Sequence, residues 1–395
     1  MLRSLSHLRR GKPCIGQSET LLRIVQIAFT RNVGSFSAAG AQSFFARPRE
    51  FESACHYWIV EMPYKLIVQQ FADEIAVQDD ETILEAAIRT GHDYPSDCRN
   101  GVCGECKCAL ISGSVDMKQY LDVALDEDEK QQGYILGCRS MLRSDCEIAL
   151  LDREEAPPAA FRSVEATVQS IERVTHDIAL VQMVAKDGRP FDFAPGQYAN
   201  VQFSQLPPRS YSFANTPTSN LLEFHIRAVP GGRVSPHLYA DLKLGDEAII
   251  SGPKGMAYLR KQHIGPIVFC AGGSGLAPIL SMIRWLSRDQ VSRTAYVFFG
   301  VRSERDVYCE AEITHLCKHL GWGPPQIVLS SASGETASRK GFLADAIRQD
   351  LTSCEGMKAY LCGPPIMIET CRKSLLDLGL ARQDCHADVF WTPAS

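Results

Sequence analysis

The sequence predicts a multi-domain α+β protein built from three folded modules. Its 395 residues are too many for one hydrophobic core. From Phe161 to about Gly265, short alternating strands are broken by Pro and Gly, a rhythm that indicates an antiparallel β-barrel. After Pro266, apolar strands alternate with helices, which indicates an α/β domain on a parallel sheet. The predicted domains are an extension (1–62), a small α+β domain (63–152), a linker (153–160), the barrel (161–265) and the α/β domain (266–395).

Composition excludes several classes of function. A net charge of −5 gives no reason to expect a nucleic-acid partner, and 45% apolar with 22% charged residues is typical of a soluble globular protein. No run approaches the roughly 20 apolar residues that span a membrane. The fifteen cysteines are scattered through a long chain, which favours reduced thiols and metal ligation. We expect a cytoplasmic monomer without a membrane partner.

The first 62 residues differ from the rest of the chain. Residues 1–50 hold eight Lys or Arg against two acids, without a clear helix or strand period. This composition suits an organellar transit peptide, an unstructured extension, or sequence upstream of a start at Met62.

The first module begins with two short strands and a helix. Tyr64–Gln70 and Ile75–Val77 alternate as strands do. Residues 81–90 carry an apolar stripe that fits one face of a helix, and Gly91 follows as a stop. A cysteine-rich loop comes next, an order compatible with a small α+β domain.

That loop predicts an iron–sulfur cluster. Cys98 is followed by Cys103 after four residues and by Cys106 after two more, and Cys138 stands 31 residues further on. This is the plant-type [2Fe–2S] spacing, with three thiolates from one loop and the fourth from a distant segment. Structural zinc is the competing interpretation, but zinc sites favour two short Cys pairs, and Cys138 has no near partner.

The barrel module carries a candidate flavin site. Arg209-Ser210-Tyr211-Ser212 offers a guanidinium for a pyrophosphate, an aromatic ring for the isoalloxazine and a hydroxyl for the region of flavin N5. The turn Gly231-Gly232-Arg233-Val234-Ser235 leads into a helical stretch, where backbone N–H groups can bind phosphate. Each pattern by itself is also compatible with an ordinary strand or turn.

The α/β module carries a candidate nucleotide site. Gly272, Gly273 and Gly275 follow a buried strand and open a helix, which suits a phosphate-binding turn, although the pattern is not the G-x-G-x-x-G fingerprint. Cys362, Gly363 and Pro364 follow another strand, at the edge of the sheet where such folds bind ligands. A ligand-free turn and an inert core cysteine are the alternatives.

These motifs, in this order, resemble the reductase components of bacterial ring-hydroxylating dioxygenase systems, and among them those of the naphthalene dioxygenase type. The resemblance covers about residues 63–395 and rests also on stretches such as Pro195–Tyr198 and Glu223–Arg227. It implies a β-grasp [2Fe–2S] ferredoxin, an FAD-binding barrel and a pyridine-nucleotide domain of the ferredoxin–NADP reductase type. It assigns FAD to Arg209–Ser212 and Gly231–Ser235, and the dinucleotide to Gly272, Gly273, Gly275 and Cys362–Pro364.

The C-terminus adds to this resemblance. Asp388-Val389-Phe390 is similar to the acidic-x-aromatic ending of the wider family, whose aromatic ring covers the flavin. Either Phe390 or its neighbour Trp391 could take that place. The resemblance implies that Ser212, Cys362 and Asp388 form the environment of hydride transfer.

The expected function is electron transfer from NADH through FAD and the cluster to a ferredoxin or terminal oxygenase that acts on aromatic rings. The reductase of a di-iron monooxygenase, that of a deoxysugar-forming dehydrase, and a non-catalytic redox sensor are the alternatives. The acidic run formed by Asp122 and residues 126–129 either steers a basic partner or is a capped helix start. NADPH is a possible donor, because Arg302 and Ser303 suit a 2′-phosphate whereas Asp306 suits a free ribose.

Overall fold

A computed structural model describes residues 64–151, 159–217, 219–290, 293–331, 336 and 338–390. The predicted extension (1–62), most of the linker (153–160) and Trp391 lie outside the described residues. The described chain confirms the predicted fold class.

The first module is a mixed five-stranded sheet with a helix packed against it. Strand β1 runs parallel to β7, and the order β2-β1-β7-β3-β5 places both in the interior of the sheet. Strands β4 and β6 form a separate pair. The bounds are β1 (Tyr64–Val68), β2 (Ile75–Val77), α1 (Ile83–Arg89), β3 (Lys107–Ser112), β4 (Val115–Met117), α2 (Glu127–Gln131), β5 (Tyr134–Leu136), β6 (Ser140–Leu142) and β7 (Cys146–Leu150).

Helix α1 starts two residues later than the sequence predicts. The Thr82 hydroxyl accepts a hydrogen bond from the Glu85 amide at 3.3 Å, and the Glu85 carboxylate accepts one from the Thr82 amide at 2.8 Å. This reciprocal capping box fixes the helix N-terminus and leaves Glu81 outside it.

The second module is an antiparallel barrel. Its six strands follow the order β11-β10-β13-β8-β9-β12, and a bridge between Phe213 and Phe224 joins the two outer strands. Phe213 also stacks on Phe193 with ring centroids 4.1 Å apart, so aromatic side chains fill the core at the closure. The bounds are β8 (Arg162–Arg173), β9 (Ile178–Ala185), β10 (Tyr198–Phe203), β11 (Arg209–Ser212), β12 (Leu221–Arg227), α3 (Ser235–Asp241) and β13 (Glu247–Lys254).

The third module is a parallel six-stranded sheet of order β17-β16-β15-β14-β18-β19. The chain order reverses between β14 and β18, so the crevice for a ligand opens at the carboxyl ends of these two strands. The bounds are β14 (Ile267–Gly272), α4 (Leu276–Arg288), β15 (Ala295–Val301), α5 (Glu310–His319), β16 (Gln326–Leu329), β17 (Arg339–Lys340), α6 (Leu343–Asp350), β18 (Lys358–Gly363), α7 (Pro365–Asp377) and β19 (Cys385–Val389).

The three modules pack against one another. Leu121 and Val123 of the first module lie in the apolar cluster on one face of the parallel sheet. Glu223 of the barrel accepts a hydrogen bond at 2.7 Å from Arg284 of α4, and Arg284 also pairs with Glu312 of α5. Apolar and ionic contacts therefore fix how the ferredoxin-like and barrel modules sit on the parallel sheet.

Candidate functional site

The four predicted cluster cysteines converge in the first module. Cys98 lies beside Cys103, and Cys106 lies beside Cys138. The backbone amides of Asn100, Val102 and Cys103 point at the Cys98 sulfur from 3.3–3.4 Å, and the Cys138 amide lies 3.5 Å from the Cys106 sulfur. Four sulfurs with N–H groups aimed at them form the donor set that a [2Fe–2S] cluster requires.

The local electrostatics favour thiolates at two of these positions. The Cys103 thiol and three backbone amides lower the pKa of Cys98 to about 6 against the opposing effect of burial. The Cys106 thiol similarly lowers the pKa of Cys138. Because cluster ligands are thiolates, this environment suits metal binding.

The glycines of the loop are required by close packing. Gly101 has a φ of +69°, and a Cβ there would lie 2.7 Å from the Tyr120 Cβ. Gly104 has a φ of +80°, and a Cβ there would lie 3.0 Å from the Ala124 carbonyl oxygen. Any other residue would strain the backbone and displace the loop from the chain that covers it.

The predicted flavin strand is β11, at one side of the barrel. Arg209 and Ser210 are exposed, whereas the Tyr211 hydroxyl is buried without a hydrogen-bond partner among the described residues. Burial raises the pKa of Tyr211 to about 12. A buried, unpaired hydroxyl fits a site that a polar ligand completes.

The predicted phosphate turn precedes α3. The Ser235 hydroxyl accepts a hydrogen bond from the Val229 amide at 3.0 Å, which closes the turn. Gly231 has a φ of +74° and open space around its Cα, while Arg233 is exposed. Among the described residues Arg209 hydrogen-bonds only to the Pro208 carbonyl oxygen, so no direct contact joins the two predicted parts of the FAD site.

A continuous set of contacts joins all three modules. The Tyr198 hydroxyl donates a hydrogen bond to Asp97, the residue immediately before Cys98. Tyr198 pairs in register with Ser212 across β10 and β11. The Ser212 hydroxyl donates to Asp388 Oδ2 at 3.0 Å, and Asp388 pairs in register with Cys362 across β18 and β19. The structure therefore brings Ser212, Asp388 and Cys362 together, close to the cysteine loop.

Two groups on the C-terminal strands have raised pKa values. Burial and the nearby Asp97 carboxylate raise the pKa of Asp388 to about 7, and the hydrogen bond from Ser212 opposes this shift. Burial also raises the pKa of the Cys362 thiol, whose residue is completely inaccessible to solvent. Cys362 is therefore a neutral thiol within the protein core.

The glycine turn of the third module lies against the end of β18. A Cβ on Gly275 would lie 2.0 Å from the Cys362 carbonyl oxygen, and one on Gly363 would lie 3.1 Å from Gly272. Gly273 adopts a φ of +56°. These close approaches leave backbone rather than side chains at the crevice, which is the geometry a bound diphosphate needs. The Phe390 amide donates to the Gly363 carbonyl oxygen at 2.8 Å and so keeps the C-terminal aromatic beside this crevice.

Three family profiles match the chain. A 2Fe-2S iron-sulfur cluster binding domain matches residues 66–143, an oxidoreductase FAD-binding domain matches residues 165–258, and an oxidoreductase NAD-binding domain matches residues 269–373. Their order is the order of the three modules.

Characterised relatives match over nearly their full length. The reductase component of the naphthalene 1,2-dioxygenase/salicylate 5-hydroxylase systems of a Ralstonia species is 35% identical over 83% of this chain and 98% of the relative. The chain belongs to the family of oxygenase reductase components. The propane 2-monooxygenase reductase component of Mycolicibacterium smegmatis is 34% identical over 81% of this chain and 95% of the relative.

Solved structures of the same architecture agree. The cytochrome P450 reductase GcoB of Amycolatopsis superposes with a TM-score of 0.62 at 30% identity, covering 84% of this chain and all of that one. The ferredoxin reductase of carbazole 1,9a-dioxygenase gives a TM-score of 0.59 at 26% identity, covering 83% and 98%. The predicted family, the electron-transfer activity and the three cofactor-binding domains are thus confirmed. No helix in the described part of this reductase is long and apolar enough to cross a membrane.

The reductase also has site residues that sequence reasoning missed. The Tyr308 hydroxyl lies 2.9 Å from His225 Nδ1 and donates to the Gly273 carbonyl oxygen at 3.4 Å. Arg227 Nε donates a hydrogen bond to Asp177 Oδ2 at 2.8 Å. The guanidinium of Arg227 also lies close to Gly273, since a Cβ on that glycine would be 3.3 Å from Arg227 Nη1. From the sequence, the Glu223–Arg227 stretch contributes only to the family resemblance. Its alternation predicts which side chains face the neighbouring module, but not which residues they contact.

The residues that follow β15 bear on whether NADH or NADPH is the preferred coenzyme. Asp306 Oδ2 accepts hydrogen bonds from the Ser303 amide at 2.8 Å and from the Ser303 hydroxyl at 2.7 Å. The side chains of Ser303 and Asp306 are therefore bonded to each other. Arg302 is exposed, and its side chain makes no hydrogen bond or ion pair among the described residues. Of the three groups considered from the sequence, Arg302 is the one free to meet a ligand.

Proposed function

We propose that this reductase takes a hydride from NADH, or alternatively from NADPH, and delivers the electrons one at a time to a ferredoxin or terminal oxygenase of an aromatic-ring hydroxylating system. The contacts from Asp97 through Tyr198 and Ser212 to Asp388 carry the proposal. They bring Asp97 of the cysteine loop, β11 and β19 together, which supports a short path between the three proposed cofactor sites. When bound, FAD accepts a hydride and releases single electrons to the cluster.

We assign the cluster to Cys98, Cys103, Cys106 and Cys138. The paired sulfurs and the amides aimed at them support this assignment. The protein's contribution is to hold four thiolates in a loop that Gly101 and Gly104 allow to turn tightly, and to shield two of them from water.

We assign FAD to β11 and to the turn before α3. Arg209 would bind the pyrophosphate, Tyr211 would cover the ring, and Ser210 would contribute from the same strand. Ser212 would place its hydroxyl at the edge of the ring where hydride arrives. Gly231, Gly232, Arg233, Val234 and Ser235 would offer backbone N–H groups to the phosphates.

We assign the pyridine nucleotide to the crevice between β14 and β18. Gly272, Gly273 and Gly275 would admit the diphosphate, and Cys362, Gly363 and Pro364 would border the nicotinamide. Asp388 would act on the transfer through Ser212, and Phe390 would cover the flavin until the nicotinamide arrives. The chain supplies placement and charge, and no general acid or nucleophile is required.

The relatives support the oxygenase system as the setting. They include components of both dioxygenase and monooxygenase systems, so a monooxygenase reductase is the second candidate. The fifteen cysteines, unpaired in the described part, suit a reducing compartment, and we propose a cytoplasmic monomer.

The test compares two cysteine variants of the purified holoenzyme. Cys138→Ser should lose iron and NADH-dependent cytochrome c reduction but keep FAD and bleaching of the flavin by NADH. Cys146→Ser is the matched control, because Cys146 is a buried cysteine whose sulfur only hydrogen-bonds to the Ser114 and Ser144 carbonyls. A wild-type protein with full FAD and iron that does not oxidise NADH would instead support a redox sensor.

A further inference from the structure

Part of the acidic run that the sequence suggests as a partner surface forms ion pairs within the chain. Arg382 pairs with Asp126 and lies 3.3 Å from Asp128. Arg372 donates to the Val123 carbonyl oxygen at 2.9 Å and to Glu129 at 3.4 Å.

The start of α2 is capped as well. Asp126 and Glu129 form a capping box, and Lys107 holds Glu129 at 2.6 Å. The start of α2 is therefore capped, and Asp126 and Glu129 are bound by arginines of the nucleotide module. Asp122, Glu127 and Asp128 remain exposed.

A different face of the same module exposes the cysteine loop. Cys98 is exposed and Cys103 is half-buried, whereas Cys106 and Cys138 are 3% and 5% accessible. The Asp97 side of the loop faces the barrel, since Asp97 accepts a hydrogen bond from Tyr198. An incoming protein therefore comes nearest to the sulfurs over Cys98, Arg99 and Asn100, which are all exposed.

That face is positively charged. Arg99 is exposed beside Cys98, with a φ of +54° that turns the chain outward. Arg139 donates to the Asn100 side-chain oxygen at 3.2 Å, and its Nε is buried without a hydrogen-bond partner. Lys118 is exposed, and its amide donates to the Arg139 carbonyl oxygen at 2.8 Å.

Acids also lie at this face. Asp97, which is bonded to Tyr198 of the barrel, and Glu105 stand in the cysteine loop itself. Asp122 is exposed next to Leu121, whose amide donates to the Gly101 carbonyl oxygen. Hydrogen bonds with Thr82 lower the pKa of Glu85, and the charge of Lys118 lowers it further by a smaller amount. Asp97 is half-buried and bonded to the barrel, whereas Arg99 is exposed, so Arg99 is the exposed charge next to Cys98.

We infer that the face formed by Cys98, Arg99, Asn100, Lys118 and Arg139 binds an electron acceptor whose redox centre is surrounded by carboxylates, as in an acidic ferredoxin. The inference rests on the proposed function and identifies the partner of that site. Opposite charges increase the encounter rate and orient the two centres. Each encounter moves one electron, so one NADH reduces two acceptors and gives NAD⁺ and one proton.

The test uses one haem protein in two charge states. Native cytochrome c is basic, and succinylation of its lysines makes it acidic without changing the haem. The quantity measured is the second-order rate constant for reduction of each form. For the succinylated form it should be highest at low ionic strength and fall as salt is added, because salt screens the attraction between opposite charges. The native form should show the opposite salt dependence or none.

Charge reversal at Arg99 tests the face itself. Arg99→Glu should lower the rate with succinylated cytochrome c at least about fivefold at low salt and raise the rate with the native form. Arg288→Glu, an exposed arginine at the far end of α4, is the control and should change neither. Iron content and flavin bleaching by NADH should match the wild type in both variants. If Arg99→Glu loses iron, Arg99→Gln takes its place with the same direction of change.

Two results would count against the inference in different ways. Unchanged rates and salt slopes in an iron-replete Arg99→Glu protein would overturn the docking face and leave the proposed function standing. Failure of the wild type to reduce either cytochrome, although NADH bleaches its flavin, would overturn the proposed exit through the cluster and the inference with it.

Discussion

The phenol of Tyr198 donates a hydrogen bond to the carboxylate of Asp97, and this bond joins the barrel to the residue that precedes Cys98. Burial raises the pKa of Asp97, and Tyr198 opposes that shift by bonding to its ionised form. Burial and the Asp97 charge in turn raise the pKa of Tyr198, so the phenol remains a donor. The bond holds the cysteine loop against β10, whose Tyr198 pairs in register with Ser212 of β11.

Removal of this bond should slow the flow of electrons from flavin to cluster. A hydrogen bond to a charged group contributes about 1.5–3 kcal/mol, so Tyr198→Phe should loosen the loop without unfolding the protein. We expect cytochrome c reduction to fall several-fold while bleaching of the flavin by NADH stays near the wild-type rate. Tyr239→Phe removes a comparable bond, to the Thr175 carbonyl oxygen at 2.8 Å, and is the control. Equal losses in both variants would contradict a specific role for Tyr198.

The rate of flavin reduction by NADH should rise with pH through about 7 as Asp388 ionises. Departure of the hydride leaves positive charge on the nicotinamide, which a nearby carboxylate stabilises. Asp388→Asn should remove the inflection and keep the low-pH rate. Asp377→Asn, an exposed carboxylate at the end of α7, should retain it. Persistence of the inflection in Asp388→Asn would assign it to another group.

The same shift predicts how Asp388 affects stability. Its folded pKa lies above the unfolded value of about 3.9, so the fold favours the neutral carboxyl. The stabilisation is complete below about pH 4 and is lost as pH rises through about 7. At pH 8 the Asp388→Asn apoprotein should therefore unfold at higher urea concentration than the wild type, and at pH 4 the difference should vanish. A variant that is less stable than the wild type at pH 8 would show that the carboxylate is well accommodated.

Arg284 should be essential for the contact between barrel and nucleotide module. Burial disfavours ionisation of Glu223. Its pKa is nevertheless held well below the usual range by His225, whose Nε2 lies 3.5 Å from Glu223 Oε1, by the Arg284 charge, and by hydrogen bonds from Gln182 and Arg284. Arg284→Met removes the cationic partner of this buried carboxylate and keeps its hydrogen bond from Gln182 at 2.9 Å, at a cost of about 3 kcal/mol. Denaturation midpoints measured with FAD bound should fall accordingly. Arg288→Met, on the exposed end of the same helix, should stay within about 0.5 kcal/mol.

Arg302 should decide how well NADPH is used. A charge-assisted bond from its guanidinium to the 2′-phosphate would contribute about 1.5–3 kcal/mol, so Arg302→Ala should lower kcat/KM for NADPH roughly tenfold or more. The value for NADH should change little, since NADH has a hydroxyl at that position. Arg305, three residues further on, is also exposed. Arg305→Ala is the control that separates a specific contact of Arg302 from an effect of positive charge in general. An equal loss with both coenzymes would contradict the assignment.

The sequence by itself determined the modules and the cysteine spacing. Local periodicity predicted strands such as Tyr198–Phe203 within a residue of the observed bounds. The helix after Gly275 was also expected, because glycine turns and apolar runs act over short stretches of chain. The four cysteines could be assigned because a cluster fixes the number and spacing of its ligands.

Only the tertiary structure decided which distant groups meet. The acidic residues 126–129 face Arg372 and Arg382, some 250 positions away, and no local pattern carries that pairing. Likewise Tyr198 meets Asp97, and Ser212 meets Asp388, across module boundaries. Charge, burial and pKa at these positions depend on what lies within a few ångströms in space rather than on neighbours in sequence. The order of the three modules could therefore be predicted from the sequence. The contacts that join the modules along the proposed electron path depend on how they pack, and only the tertiary structure gives them.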